Sequence, residues 1–223
     1  MLTGMSRWDP HARERLEQAA LELFIEQGFG QTSVPQITAR AGLTTRTFFR
    51  HFVDKREVLF AHEADFPELV ARLMAEAPPS LSPMQLIGHG LHTVAALRFD
   101  GQRDLLRIRH HVISTDEGLI EREMRKYAAL SLAIADGLRH RGTDELSATL
   151  TADIAVAVLR VAVTRWLDHS DERPLTELLT ETLNALVSVT CERPDGPTGP
   201  PLEQTAIRIA DGDLRGDDHG DLH

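Results

Sequence analysis

The sequence predicts an all-α fold, with a three-helix unit at the N-terminus followed by a larger helical domain. Three observations carry that expectation. Apolar residues recur three and four apart over long stretches, the spacing that builds one face of a helix. No stretch alternates apolar and polar residues for long enough to make a sheet. Capping and stop signals, among them Ser33-x-x-Gln36, Gly42, Pro78-Pro79 and Ser82-Pro83, divide the periodic segments into helix-sized lengths.

Each element has its own signal. Leu16, Ala20, Leu23 and Phe24 line one face of a helix over 11–27, which Gly28 and Gly30 end. Ser33 and Gln36 read as a capping box, with Pro35 tolerable in the first turn of a short helix reaching Ala41. Gly42 makes a turn, and Thr44 caps a helix that runs to His51. Asp54 and Glu57 open a fourth helix, expected to continue unbroken to Ala77, where Pro78 and Pro79 stop it. Ser82-Pro83-x-Gln85 starts the next, to Phe99, and further helices are expected over 102–114, 117–141, 145–168 and 174–191, nine in all. From Arg193 onward, prolines, glycines and a run of aspartates bury too little to offset ordering entropy, so 193–223 is expected to be a disordered acidic tail. The expected division is 1–55, 56–192 and 193–223.

Composition narrows the class. The chain has 223 residues, 42% hydrophobic and 26% charged, enough for a sizeable core without cross-links. The one cysteine, Cys191, cannot form an intrachain disulfide, which suits a reducing cytoplasm. No membrane span is expected, since the apolar run Ile154 to Leu159 is bounded by Asp153 and Arg160, and no signal peptide is expected at the N-terminus. The net charge of −10 argues against nucleic acid only until its distribution is read. Residues 1–60 hold eight Lys or Arg against seven Asp or Glu, so the acidity lies downstream.

Thr32 to Leu59 reads TSVPQITARAGLTTRTFFRHFVDKREVL. Two short helices joined at Gly42 form a helix-turn-helix pattern, whose second helix enters the major groove. Ile37, Leu43, Phe48 and Phe52 can face inward with Leu23 and Phe24, which turns Thr45, Arg46, Phe49 and Arg50 outward. An aromatic residue exposed beside two arginines wastes burial unless a partner covers it. Arg46 can read guanine O6 and N7; Thr45, Thr47 and Phe49 can meet thymine methyls, sugars or phosphates; His51 and Lys55 sit where phosphates should run.

This stretch, with ALELFIEQGFGQTS before it, resembles the TetR family of bacterial transcriptional regulators over about residues 11–60. The resemblance implies DNA-contacting roles for Ser33, Thr44, Thr45, Arg46, Phe49, His51 and Lys55, with Thr47 and Arg50 added from the helix geometry. It also implies a ligand-binding and dimerisation domain downstream, a palindromic operator as double-stranded DNA partner, and a small-molecule effector that releases a repressor. Arg46 stands where many members carry a small residue, Phe49 where many carry tyrosine, and Val53 where proline is frequent, which bears on the operator sequence. TRTFFRHF, DKREVLF and RWLDHS look similar to a subgroup with acyl-CoA-like or other hydrophobic ligands.

A two-turn recognition helix reads few base pairs, so a homodimer spanning two half-sites is expected. The last two helices are the candidate surface: Ala152, Ala155, Val156, Val158, Ala162 and Val163 on one, Leu175, Leu178, Leu179, Leu183, Leu186 and Val187 on the other. The candidate effector site is lined by Phe66, Leu73, Leu91, Val112, Met124, Tyr127 and Trp166, each of which can equally be ordinary core. The cluster Arg103, Arg107, Arg109, His110 and His111 can either receive an anionic group or form a solvated face. No metal is expected, because His89 and His92 have no Cys partner and HExxH is absent. No cofactor or catalytic residue is expected: GxSxG, P-loop and GxGxxG are missing, and Glu121, Glu123 and Asp136 read as solvated helix positions.

Overall fold

The computed structural model describes residues 11–60, 65–168 and 173–191, and every regular element among them is a helix. α1 (Ala12–Gln27) buries Leu16, Ala19, Ala20, Leu23 and Phe24 along one face and ends at Gly28, whose φ of 86° a side chain would resist. α2 (Val34–Arg40) opens as its sequence indicates, with the Gln36 side chain accepting from the Ser33 backbone N–H at 2.8 Å. Gly42, at φ 65°, turns the chain into α3 (Thr45–His51). The Thr44 hydroxyl caps α3 by accepting the N–H of Thr47 at 3.1 Å.

These three helices do not close a core alone. Phe24, Phe29, Ile37, Phe48 and Phe52 interlock, and the same cluster takes in Val112 and Ile113 of α7 (Arg103–Ser114) and Leu119 of α8 (Glu117–His140). Whatever moves α7 or the start of α8 therefore presses on the floor beneath α3.

The helix expected over 54–77 is instead seen, among the described residues, as α4 (Glu57–Phe60) and α5 (Phe66–Glu76). Pro67 is the physical reason: it lacks an N–H, so it belongs in a first turn, and α5 begins around it. α6 (Pro83–Arg98) follows a full capping box at Ser82 and Gln85. α8 runs beside α5 and α9 (Glu145–Asp168), and Gly137 on α8 gives the Met74 side chain of α5 room that a Cβ would fill. By composition α9 is long and apolar enough to cross a membrane, but its Ala148, Ala152, Ala155 and Ala162 are buried in the core, which accounts for that composition. α10 (Leu175–Cys191) buries Leu175, Leu178 and Leu179. The chain packs as two units, Met1–Ala185 and Leu186–His223, and the described part of the second is the end of α10. The tail expected over 193–223 lies outside the described residues.

Several cations are spent on helix C-termini, where unpaired carbonyls gather negative charge. Arg103 donates to Trp166 O (2.6 and 3.1 Å) and Arg107 to Leu167 O (2.9 Å), both at the end of α9. Arg141 donates to Met74 O, Ala77 O and Pro78 O where α5 stops.

Candidate nucleic-acid interface and effector cavity

Two adjacent phenylalanines define the outer face of α3. Phe48 is fully buried in the core, whereas Phe49 is 59% exposed with its ring edge-on to Phe48. Thr44, Thr45, Arg46 and Arg50 are exposed on the same short helix and its cap, and Thr47 is half-buried. Val53, just past the helix, is 84% exposed. In the sequence Val53 stands out only as a departure from a family pattern; its position one residue outside the core-filling Phe52 is the signal for its exposure. Ser33 is exposed at the α2 cap, its hydroxyl donating to Gln36 Oε1 at 2.8 Å.

Two expected phosphate contacts are placed differently. Lys55 Nζ lies 2.7 Å from Phe29 O, 2.9 Å from Thr32 O and 3.4 Å from Gly30 O, and 4.3 Å from the Phe29 ring centroid. An ammonium has three protons, and three carbonyls of the α1–α2 turn take them. Burial pushes the Lys55 ammonium below the usual lysine range, and neighbouring Asp116 partly offsets this. His51 points its Nε2 into the protein, buried and without a hydrogen-bond partner among the described residues. Burial, then the charges of Arg50 and Arg13, hold the imidazole below its ordinary pKa. Sequence spacing alone does not reveal either placement, because both depend on the path of the α1–α2 turn.

The helical body contains two cavities near the expected effector residues. The smaller, about 50 Å³, is walled by Phe66, Leu73, Met74, Leu86, Leu91 and Ile134. It has room for little more than a water molecule or two. The larger, about 430 Å³, falls within the size range of ligand sites. Phe66, Leu106, Ile113, Met124, Tyr127, Leu130 and Leu159 form much of its wall, joined by Arg109, His110, Lys126, Arg160 and Glu123.

Of the expected lining residues, Phe66 borders both cavities, Leu73 and Leu91 the smaller, and Met124 and Tyr127 the larger. Val112 and Trp166 line neither. Val112 belongs to the core beneath α3, with Leu16, Phe24 and Phe48. Trp166 packs against Phe99 and donates its indole N–H to Arg173 O at 3.1 Å. The basic cluster on α7 splits the same way: Arg109 and His110 reach the cavity, Arg103 and Arg107 cap α9, and His111 is exposed. Lys126 and Arg160 were not identified from sequence, and Glu123, expected as a solvated helix position, borders the cavity instead, because only the pairing of α7, α8 and α9 brings them together.

The profile of the bacterial regulatory proteins of the tetR family matches residues 17–62, and one described as the MftR C-terminal domain matches 81–190. The HTH-type transcriptional regulator TcmR of Streptomyces glaucescens is 33% identical over 90 residues, 40% of this chain and 40% of that protein. The HTH-type transcriptional repressor BepR of Brucella suis is 25% identical over 167 residues, 70% of this chain and 80% of that one. Among solved structures, Thermus thermophilus FadR, a repressor in complex with lauroyl-CoA, superposes with a TM-score of 0.50 at 25% identity, covering 84% of this chain and 99% of that one.

Proposed function

Because the chain belongs to the TetR family of DNA-binding transcriptional regulators, we propose that it is a repressor which binds a palindromic operator as a homodimer and is released by a small-molecule effector. The observation that carries this reading is the bare surface of α3, where Phe49 stands 59% exposed between exposed Arg46 and Arg50. A major groove covers such a surface: Arg46 can take a guanine edge and Phe49 a thymine methyl or sugar. Thr45 and Arg50 flank them, Thr44, Thr47 and Ser33 sit at the margin, and Val53 extends the apolar contact. Lys55 and His51 act from inside, holding the turn and the end of α3.

The division we propose assigns 1–55 to DNA and 56–192 to effector and dimer contacts. The small residues expected to form the dimer surface on α9 are largely buried, and α9 instead exposes Leu146, Leu150 and Val161. On α10 the exposed apolar residues are Val187 and Val189. We assign Leu146, Leu150 and Val161 of α9 to the dimer interface. The larger cavity is the proposed effector site, and the lauroyl-CoA bound by FadR favours an acyl-CoA-like or other hydrophobic molecule. Such a regulator works in the cytoplasm, where the DNA is.

Selection of duplexes from a random-sequence library, followed by fluorescence anisotropy, tests this directly. An inverted repeat should emerge, bound at least about a thousandfold more tightly than scrambled duplex at physiological salt. Equal affinity for both would remove the reading.

A further inference from the structure

We propose that the larger cavity selects an amphipathic anion, and that Glu17 reports the anion's arrival because its carboxylate is shared between the cavity wall and the recognition helix. The proposal rests on that cavity being the effector site.

The wall is unevenly charged. Among the described residues, Arg109, His110, Lys126 and Arg160 border it against the carboxylate of Glu123, while the rest of the wall is mostly apolar. Arg109 is only 4% exposed, and its Nη2 lies 3.7 Å from Glu17 Oε2 on α1. Glu17 is itself 7% exposed. Its other oxygen, Oε1, accepts from Arg13 Nε at 3.0 Å. The Arg13 guanidinium in turn sits 5.5 Å from the centroid of the Phe52 ring, at the end of α3. One carboxylate thus faces two cations, one on the cavity wall and one against the recognition helix.

The two contacts are unequal. A charge-assisted N–H···O bond is about 2.7–2.9 Å long, so Arg109 Nη2, at 3.7 Å, is held less closely by Oε2 than Arg13 Nε, at 3.0 Å, is by Oε1. An anion entering the cavity can approach Arg109 more closely than Glu17 does and take over its charge. Arg109 then remains paired, which avoids the cost of a lone buried cation. Glu17 loses this ion pair with α7 and stays with Arg13, which loosens α1 from α7 although Val112 and Ile113 keep their apolar packing. Since α1 carries Leu16, Leu23 and Phe24 in the core beneath Phe48, that release shifts α3. A neutral molecule of the same shape fills the cavity without competing for Arg109. By linkage, DNA must weaken anion binding by the same factor that the anion weakens DNA binding.

Decanoate and 1-decanol, alike except for the charged head, are the probes. Each is titrated calorimetrically into the full-length protein, and release of the selected duplex is followed by anisotropy. Decanoate should bind at least about tenfold more tightly than decanol and weaken duplex binding by about tenfold or more. Arg109→Gln should lose the preference for decanoate. Glu17→Gln should still bind decanoate while its duplex affinity changes less than about threefold on adding it. Equal binding of both probes would overturn the anion selectivity while leaving the effector reading in place. A full response in Glu17→Gln would overturn the shared carboxylate. Failure of both probes to bind or to release duplex would remove the effector cavity as well. If Arg109→Gln does not fold, the probe pair on the unaltered protein and on Glu17→Gln decides the outcome.

Discussion

The outer face of α3 and the wall of the large cavity are built on opposite principles. On α3, seven consecutive residues do two jobs: Phe48 faces the core at 0% exposure and Phe49 faces outward at 59%. The cavity wall is assembled from α4, α5, α7, α8 and α9, and no single helix supplies the whole of it. A site written on one helix is fixed by helical periodicity, whereas a site between helices is fixed by how they pair. The two also differ in what they tolerate, which makes the contrast testable.

The sharpest test uses the neighbouring phenylalanines. Phe48→Ala should cost about 3–5 kcal/mol of stability, because it empties a filled core position. Phe49→Ala should leave the melting temperature nearly unchanged yet weaken duplex binding by about tenfold. Thermal melts beside anisotropy read both effects, and similar destabilisation by the two variants would erase the distinction between inner and outer face.

Lys55→Met comes next in size. Thr32 O and Gly30 O lose the Lys55 donor while Phe29 O keeps only the Thr32 N–H, so the variant should lose about 1.5–3 kcal/mol in chemical denaturation. A stable protein with weakened duplex binding would instead return Lys55 to the phosphate role that its sequence position suggests.

The cavity should behave in the reverse manner. Met124 borders it and is 42% exposed, so Met124→Trp can fill space with a stability change under about 1 kcal/mol. Duplex binding should persist while decanoate binding is lost. Unchanged decanoate binding would place that ligand elsewhere.

The smallest expected effect concerns pH. His51 is held below its ordinary value of 6.5, first by burial, then by Arg50 and Arg13. A depressed folded value means that its contribution is complete above 6.5 and is lost as pH falls through the folded value. His51→Gln should therefore narrow the drop in melting temperature between about pH 7.5 and 5. An identical drop in both proteins would show that the imidazole does not sense its burial.

How much was legible in the sequence follows the same divide. The helices of the N-terminal unit, the inward set Ile37, Phe48 and Phe52, and the outward set Thr45, Arg46, Phe49 and Arg50 all followed from spacing. Placing one unbroken helix over 54–77 overlooked Pro67, whose missing N–H marks a helix start. Val112 and Trp166 were misplaced for a different reason. Both are apolar at helical spacing, as cavity residues are, and only the neighbours of α7 and α9 show that one fills the core beneath α3 and the other packs on Phe99. Arg103 and Arg109 carry the same charge on the same helix. One binds the end of α9 and the other reaches the cavity and Glu17, a distinction that sequence periodicity cannot make.

The most direct test of the α3 surface is the ratio of affinities for the selected inverted repeat and a scrambled duplex, measured for the unaltered protein and for Arg46→Ala/Phe49→Ala at physiological salt. The unaltered protein should prefer the repeat by about a thousandfold or more, and the double variant, with an unchanged circular dichroism spectrum, should lose at least about a hundredfold of that preference. A double variant that kept the full preference would show that operator DNA is read by some other surface.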